Sequence, residues 1–292
     1  MSRAGVYHGG IRGRLVGQRL GFVLLTLVAL GAVAPIILVV AYVAAQGAPA
    51  VSWEFLSGLP REGMRAGGIL PALVGTFYLT VGTAVFSVPL GVAAAVYLAE
   101  YAQENAWTRL IRVAIINLAG IPSVVYGLFG LGLFVLFLRF GTSILSASLT
   151  LSIMTLPVII SASEEALRAV PQSFRTVSIS LGGTRWQTIR RIVLPQAVPG
   201  ILTGVILGLE RAAGETAPIL FTGAAFFLPR LPHSPFDATM ALPYHLFVIS
   251  TQVPEMPVRI QYGTALVLIG FVLGMNLLAT IIRSRARARR QW

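Results

Sequence analysis

Polar residues in this chain come in clumps, and between the clumps run long apolar stretches. Six stand out, over residues 20–45, 72–99, 113–138, 143–163, 198–221 and 262–282. About 20 apolar residues are what a helix needs to cross the hydrocarbon layer. In lipid a helix also satisfies its own backbone polar groups. The pattern therefore predicts an all-α, polytopic membrane bundle of six transmembrane helices. The fourth stretch is the most polar, being rich in serine and threonine and carrying Pro157.

The same pattern divides the chain into a basic tail (1–19), a first span with its external loop (20–71), a core (72–282) and a second basic tail (283–292). The first apolar run, about 25 residues long, exceeds the 7–15 of a signal-peptide core and is read as an uncleaved anchor. Segment 46–71 predicts a small interfacial helix around Trp53-Glu54-Phe55. The proline-rich segment 222–261 predicts a second short helix over 244–249, and a loop of this size is a plausible landing site for a soluble partner.

Composition sharpens this picture. Of 292 residues, 56% are hydrophobic and only 11% charged, with mean hydropathy +0.82. A soluble domain is about a quarter charged. The net charge of +12 would raise nucleic-acid binding in a soluble protein. Here the arginines sit in loops and tails between apolar runs, so topology accounts for them and no nucleic-acid partner is expected. With six spans, sixteen arginines fall on the side holding both tails and the loops near 100–112 and 164–197; five fall on the other side. By the positive-inside rule both termini are cytoplasmic, in a multi-pass plasma-membrane protein.

All 22 basic residues are arginine. A chain without lysine cannot supply the Gly-Lys-Ser/Thr of a P-loop, so any ATP hydrolysis by that route belongs to another chain. There is no cysteine, which excludes disulfides, thiolate metal sites and cysteine nucleophiles. His8, His233 and His245 are scattered without metal-ligand spacing, and no Ser/His/Asp arrangement is discernible. No catalytic residues, metal or cofactor are expected.

Two polar features inside this frame carry chemistry. The first is loop 164–197, with helix-forming residues to Ala169, an interruption at Pro171, a second short helix over 173–181, and Gly182-Gly183. Glycine adopts φ > 0 cheaply, so the pair permits a sharp reversal. Trp186, Ile189 and Ile192 then recur at helical spacing until Pro195. A basic cytoplasmic loop with a central reversal suits docking onto a soluble partner.

The second is Arg211 in the fifth stretch, where a charge at the bilayer centre costs about 2.5–3.5 kcal/mol. Arg211 and Glu215 are i and i+4, so they share a helix face and can pair. Two readings stand: a self-neutralising pair, or an arginine that meets a passing oxyanion, whose geometry guanidinium matches. Thr76, Thr80, Thr83 and Ser87 form a polar stripe on the second span. It suits either the lining of a hydrated route or hydroxyls bonded back to their own helix.

The loop resembles the cytoplasmic signature of ATP-binding-cassette importer permeases: Glu-Ala-Ala, three residues, Gly, nine residues, Ile, one residue, Leu-Pro. Gly182, Ile192, Leu194 and Pro195 match in register, while the acidic triplet is replaced by Thr176-Val177-Ser178. The segments Arg211–Pro218, Asn117–Gly130 and Gly67–Thr76 resemble phosphate-importer permeases, and Ala217-Pro218 after Thr216 points to the PstA type.

The resemblance runs from about Gly67 to the C-terminus. It implies the type I importer permease fold and a coupling site at Arg175, Thr176, Leu181, Gly182, Gly183, Trp186, Ile192, Leu194 and Pro195. The implied substrate pathway contains Arg211, Glu215, Thr216, Thr76, Thr80 and Thr83. Implied partners are two copies of an ATPase, a second homologous permease, an external phosphate-binding protein and the membrane lipid around the permeases. Rival expectations are a permease for sulfate or molybdate, a carrier driven by an ion gradient, and, with least support, an intramembrane enzyme.

Overall fold

The computed structural model describes residues 11–288, and it is helical almost throughout. Helix α1 (Ile11–Gly47) leads through a short 3-10 turn to α2 (Trp53–Ser57), which sits where an interfacial helix is expected. A two-residue antiparallel pairing of β1 (Pro60–Arg61) with β2 (Ala66–Gly67) then feeds α3 (Leu70–Val96). Next come α4 (Ala106–Ala119), α5 (Ser123–Gly130), α6 (Ile144–Arg168), α7 (Gln172–Ser180) and α8 (Arg185–Thr188). The chain finishes with α9 (Leu194–Gly214), α10 (Ala217–Thr222), α11 (Leu242–Thr251) and α12 (Val258–Ala288).

Local chemistry sets these boundaries. Ser52, Asn105, Ser143 and Thr184 each cap a helix by accepting a backbone N–H three residues on. Helices α3, α10 and α11 carry a proline in the first turn, where its missing N–H is no loss.

Five helical stretches are long and apolar enough to cross a membrane, and a sixth follows if α4 and α5 count as one broken span. The third apolar stretch, expected as one continuous span, is bent by 102° between α4 and α5. Gly120, Ile121 and Pro122 lie at the bend, and Pro122 cannot donate the N–H that would continue the helix. The fifth is likewise interrupted between α9 and α10. Helix α1 begins at Ile11, inside the stretch expected to be a tail; residues 1–10 and 289–292 lie outside the described residues.

The core is α3, α6 and α9, packed side by side with α6 central. The α6–α9 seam is closed by small residues at four-residue spacing: Gly200 lies against Ala166, and Gly204 against Ala162. A methyl at Gly204 would collide with Ala162, so the backbones approach as only small residues allow. The pair Gly270/Gly274 of α12 faces open space. Helix α1 packs on α12, through an edge-on contact of Tyr42 with Tyr262 among others, and is otherwise exposed along its apolar length.

Candidate functional site

The loop between α6 and α9 folds as the alternation of helix formers and breakers requires. Pro171 ends the extension of α6, α7 runs to Ser180, and the chain reverses through Gly182 at φ +81°. Thr184 then starts α8 with a reciprocal capping box, its hydroxyl accepting from Gln187 N while the Gln187 side chain accepts from Thr184 N. Leu194-Pro195 lacks the N–H that would close a regular turn onto Arg191. The preceding five residues wind instead as a wider π-turn, with Leu194 N donating to Ile189 O.

This hairpin presents an apolar edge. Leu181 is 83% exposed, and Val177, Ile179 and Trp186 are each more than half exposed. Thr176 is exposed beside them, bonded to Gln172 O. Between the two arms Phe174, Val177, Leu181 and Ile192 line a groove whose rim carries Gly183 and Arg191. Leu194 packs inward against the core cluster formed by Ala95, Leu98, Leu167, Val193 and Ala197.

Arg175 is different and does not stand on this edge. Its guanidinium turns inward and meets Glu100 at 2.6 Å, the two side chains being only 12% and 8% exposed. It also donates to Val170 O at 2.6 Å and Leu167 O at 2.9 Å. Arg185 donates to Glu100 O and lies over the Tyr101 ring at 5.1 Å. A second tie lies alongside: Glu164 of α6 accepts from Arg112 of α4 at 2.9 Å and from Arg168 at 3.0 Å. Arg175 and Arg185 thereby fasten the hairpin to the segment that follows α3 and to the end of α6, while Arg112 ties α4 to α6. Glu100, Arg112 and Glu164 are absent from the sequence-derived site. The available signal is an acid that closes an apolar stretch beside an arginine-rich loop.

The second site lies at the break between α9 and α10. Arg211 occupies the last turn of α9, where a cation suits the helix dipole, rather than mid-helix as the span boundaries imply. Glu215 has left the helix (φ −73°, ψ 138°), yet its Oε1 still accepts from Arg211 Nε at 3.4 Å. The contact is long and single. Arg211 remains 37% exposed against 16% for Glu215, and its two Nη groups have no hydrogen-bond partner among the described residues. Thr216 opens α10. Gly127 of α5 abuts Ala217, Pro218 and Phe221. Two segments that are far apart in sequence, 117–130 and 211–218, are thus brought together around this break. Next to Arg211, Glu210 has a buried Oε1 with no hydrogen-bond partner among the described residues.

The threonine stripe is placed elsewhere. Thr76, Thr80, Thr83 and Ser87 are buried in the bundle, and each donates to a carbonyl four residues earlier at 2.7–2.8 Å. Thr76 Oγ1 also accepts from Leu242 N at 2.8 Å, and Ser152 of α6 donates to Thr83 O at 3.1 Å. These buried hydroxyls belong to the seams of α3 with α6 and α11. Among the described residues no group of three or more His, Asp or Glu side chains is placed to hold a metal ion.

Comparison with known proteins agrees with this architecture. Residues 87–290 match the model of a family described as binding-protein-dependent transport system inner membrane component. The probable ABC transporter permease protein YqgI of Bacillus subtilis (strain 168) is 35% identical over 252 residues, covering 82% of this chain and 85% of that one. The phosphate transport system permease protein PstA 1 of Mycobacterium tuberculosis H37Rv is 39% identical over 231 residues, covering 77% and 73%. Among solved structures, a bacterial ABC transporter that imports the acidic polysaccharide alginate superposes with a TM-score of 0.61 at 15% identity, covering 93% of this chain and 99% of that one. The inward-facing MetNI methionine transporter gives 0.59 at 16%, covering 75% and 97%. At such identities these two show the fold alone.

Proposed function

This chain belongs to the family of binding-protein-dependent transport system inner membrane components, and from that premise we propose that it is the PstA-type permease subunit of an ATP-driven phosphate importer. The observation that carries the substrate is the likeness to phosphate permeases over about three quarters of the chain. In this reading both termini lie in the cytoplasm. A second, homologous permease completes the translocation path, two copies of an ATPase drive it, and an external binding protein delivers phosphate.

The residues supply a mechanism. The apolar edge of Val177, Ile179, Leu181 and Trp186 docks in a groove of the ATPase. Movement of that edge reaches the bundle through Arg175 on Glu100 and through Glu164 on Arg112 and Arg168. When ATP closes the ATPase dimer the path opens outward, and after hydrolysis it opens inward. Phosphate meets Arg211, whose spare Nη donors fit two oxygens of one anion. Glu215 competes for the same guanidinium, so the contact stays weak enough for release.

The test is co-purification with the ATPase, then reconstitution with the binding protein. Phosphate is expected to stimulate ATP hydrolysis and to enter the vesicles. Stimulation by sulfate or molybdate instead would reassign the substrate. Solute movement by this chain alone, driven by a proton or sodium gradient, would overturn the assignment to an ATP-driven complex.

A further inference from the structure

Behind the hairpin, α7 and α8 border a cavity of about 770 Å³ against the end of α6 and the turn that follows α3. Small-molecule sites fall in this size range. Arg168, Arg175 and Arg185 line it with a single acid, Glu100. Val170, Pro171 and Ile189 supply apolar walls. A cleft lined mainly by one sign of charge between low-dielectric walls concentrates counter-ions.

The three guanidiniums are not equally occupied. Arg175 is spent on both oxygens of Glu100 and on the carbonyls of Leu167 and Val170, so Glu100 is used up as well. Arg185 gives one Nη to Glu100 O and lies over the Tyr101 ring. No carboxylate pairs with it among the described residues. Arg168 has half of an acid: its Nε shares Glu164 Oε1 with Arg112, and its Nη groups have no hydrogen-bond partner among the described residues. Glu164 and Glu165 lie outside the lining. The cavity therefore holds positive charge that the chain leaves uncompensated.

We propose that this cavity is a binding site for a soluble tetrahedral oxyanion, inorganic phosphate being the simplest. The anion sits between Arg168 of α6 and Arg185 of α8, whose planar forks suit its oxygens. It ties the end of α6 to the second arm of the hairpin, beside the tie that Arg175 makes from the first arm. The lining favours a soluble occupant over a lipid headgroup. Of its residues only Ala99 belongs to one of the six apolar stretches, so an acyl chain has no spanning face to follow. Only the anion's cytoplasmic origin rests on the proposed function.

The experiment uses the assembled complex in phosphatidylcholine nanodiscs, with Gln172→Cys as the one thiol of this chain. Gln172 lines the cavity and is exposed. Inorganic phosphate is expected to slow modification of that thiol by neutral N-ethylmaleimide, compared with sodium chloride at equal ionic strength. Arg168→Gln and Arg185→Gln should each raise the half-protecting concentration about tenfold, the loss of one charge-assisted hydrogen bond. Arg185→Lys, which keeps a charge, should fall between. Protection should persist in Arg211→Gln, which separates the cavity from the translocation path. Absence of protection, protection that survives both glutamine variants, or protection that vanishes in Arg211→Gln would overturn the site. So would a thiol that never reacts, because the ATPase then closes the cavity. Protection by added phosphatidylglycerol, with none further from phosphate, would give the site to a lipid headgroup and overturn the soluble anion.

Discussion

Glu100 and Arg175 are separated by 75 residues and meet at 2.6 Å, tying the turn that follows α3 to the first arm of the hairpin between α6 and α9. The guanidinium is spent entirely inside the protein, on Glu100 and on the carbonyls of Val170 and Leu167. The hairpin is therefore held to the core by this pair, while its apolar edge stays exposed.

Breaking this pair on one side leaves a charge with no counterpart. For nearly buried pairs that costs about 3–5 kcal/mol. Glu100→Gln is expected to leave the protein in the membrane while loosening the hairpin, so that ATP hydrolysis by the complex persists and uptake falls. The exchange Glu100→Arg with Arg175→Glu should recover part of the uptake. Full coupling in Glu100→Gln would mean that motion reaches the bundle through Glu164 and Arg112 instead.

Gly182 tests the reversal without touching any contact. A Cβ at this position meets nothing within 4 Å, so substitution acts only through φ +81°. Left-handed backbone costs about 1–2 kcal/mol in an L-residue, least for Asn. Gly182→Val is expected to lower transport per ATP hydrolysed about tenfold, and Gly182→Asn to lower it much less. Equal behaviour of the two variants would show that the turn is not strained in the working complex.

The limits of what the sequence makes legible follow from the range of the forces involved. Apolar runs, arginine asymmetry and punctuation by Pro171, Gly182 and Pro195 are local, and they yield the bundle and the outline of the hairpin. The 102° bend near Pro122 and the break after Gly214 are written in the same residues. Their effect depends on neighbours that let a helix stop inside the bundle. Contacts across the fold are harder to read. Periodicity places Thr76, Thr80 and Thr83 on one face but does not say that α6 covers it. A loop rich in arginine likewise hides which one, Arg175, turns inward to an acid 75 residues away.

At the α9–α10 break, the free Nη donors of Arg211 give a direct prediction. Charge-assisted hydrogen bonds contribute about 1.5–3 kcal/mol, or roughly 10–100-fold in binding. Arg211→Gln should reduce phosphate uptake by at least that factor with the complex still assembled. Arg211→Lys, a point charge without the planar fork, should fall between. Uptake at the wild-type level in Arg211→Gln would leave Arg211 as the structural partner of Glu215.

Acid should weaken the outer segment through His245. This residue of α11 is 2% exposed, and burial lowers its pKa from 6.5 to about 4. Its Nδ1 has no hydrogen-bond partner among the described residues. The folded state holds the ring neutral while the unfolded state takes up a proton below 6.5. Stability is thus fully present above that pH and is lost as pH falls toward 4, by about 3 kcal/mol in all. Thermal melts of the purified complex between pH 7 and 4.5 should show this loss, and His245→Leu should reduce it. An unchanged acid dependence in the variant would place the sensitivity elsewhere.

The absence of cysteine makes topology directly measurable, because any introduced thiol is the only one in the chain. Leu181 at the tip of the hairpin is 83% exposed, and Phe236 in the loop before α11 is 57% exposed. Each tolerates substitution because neither is buried. In intact cells an impermeant maleimide should label Phe236→Cys from outside, and Leu181→Cys only after the membrane is opened. The positive-inside rule and the proposed docking of the hairpin on a cytoplasmic ATPase both require this opposition. Labelling of both positions from one side would break the six-span arrangement. Labelling of Leu181→Cys alone from outside would invert it, placing the hairpin beyond reach of any cytoplasmic ATPase.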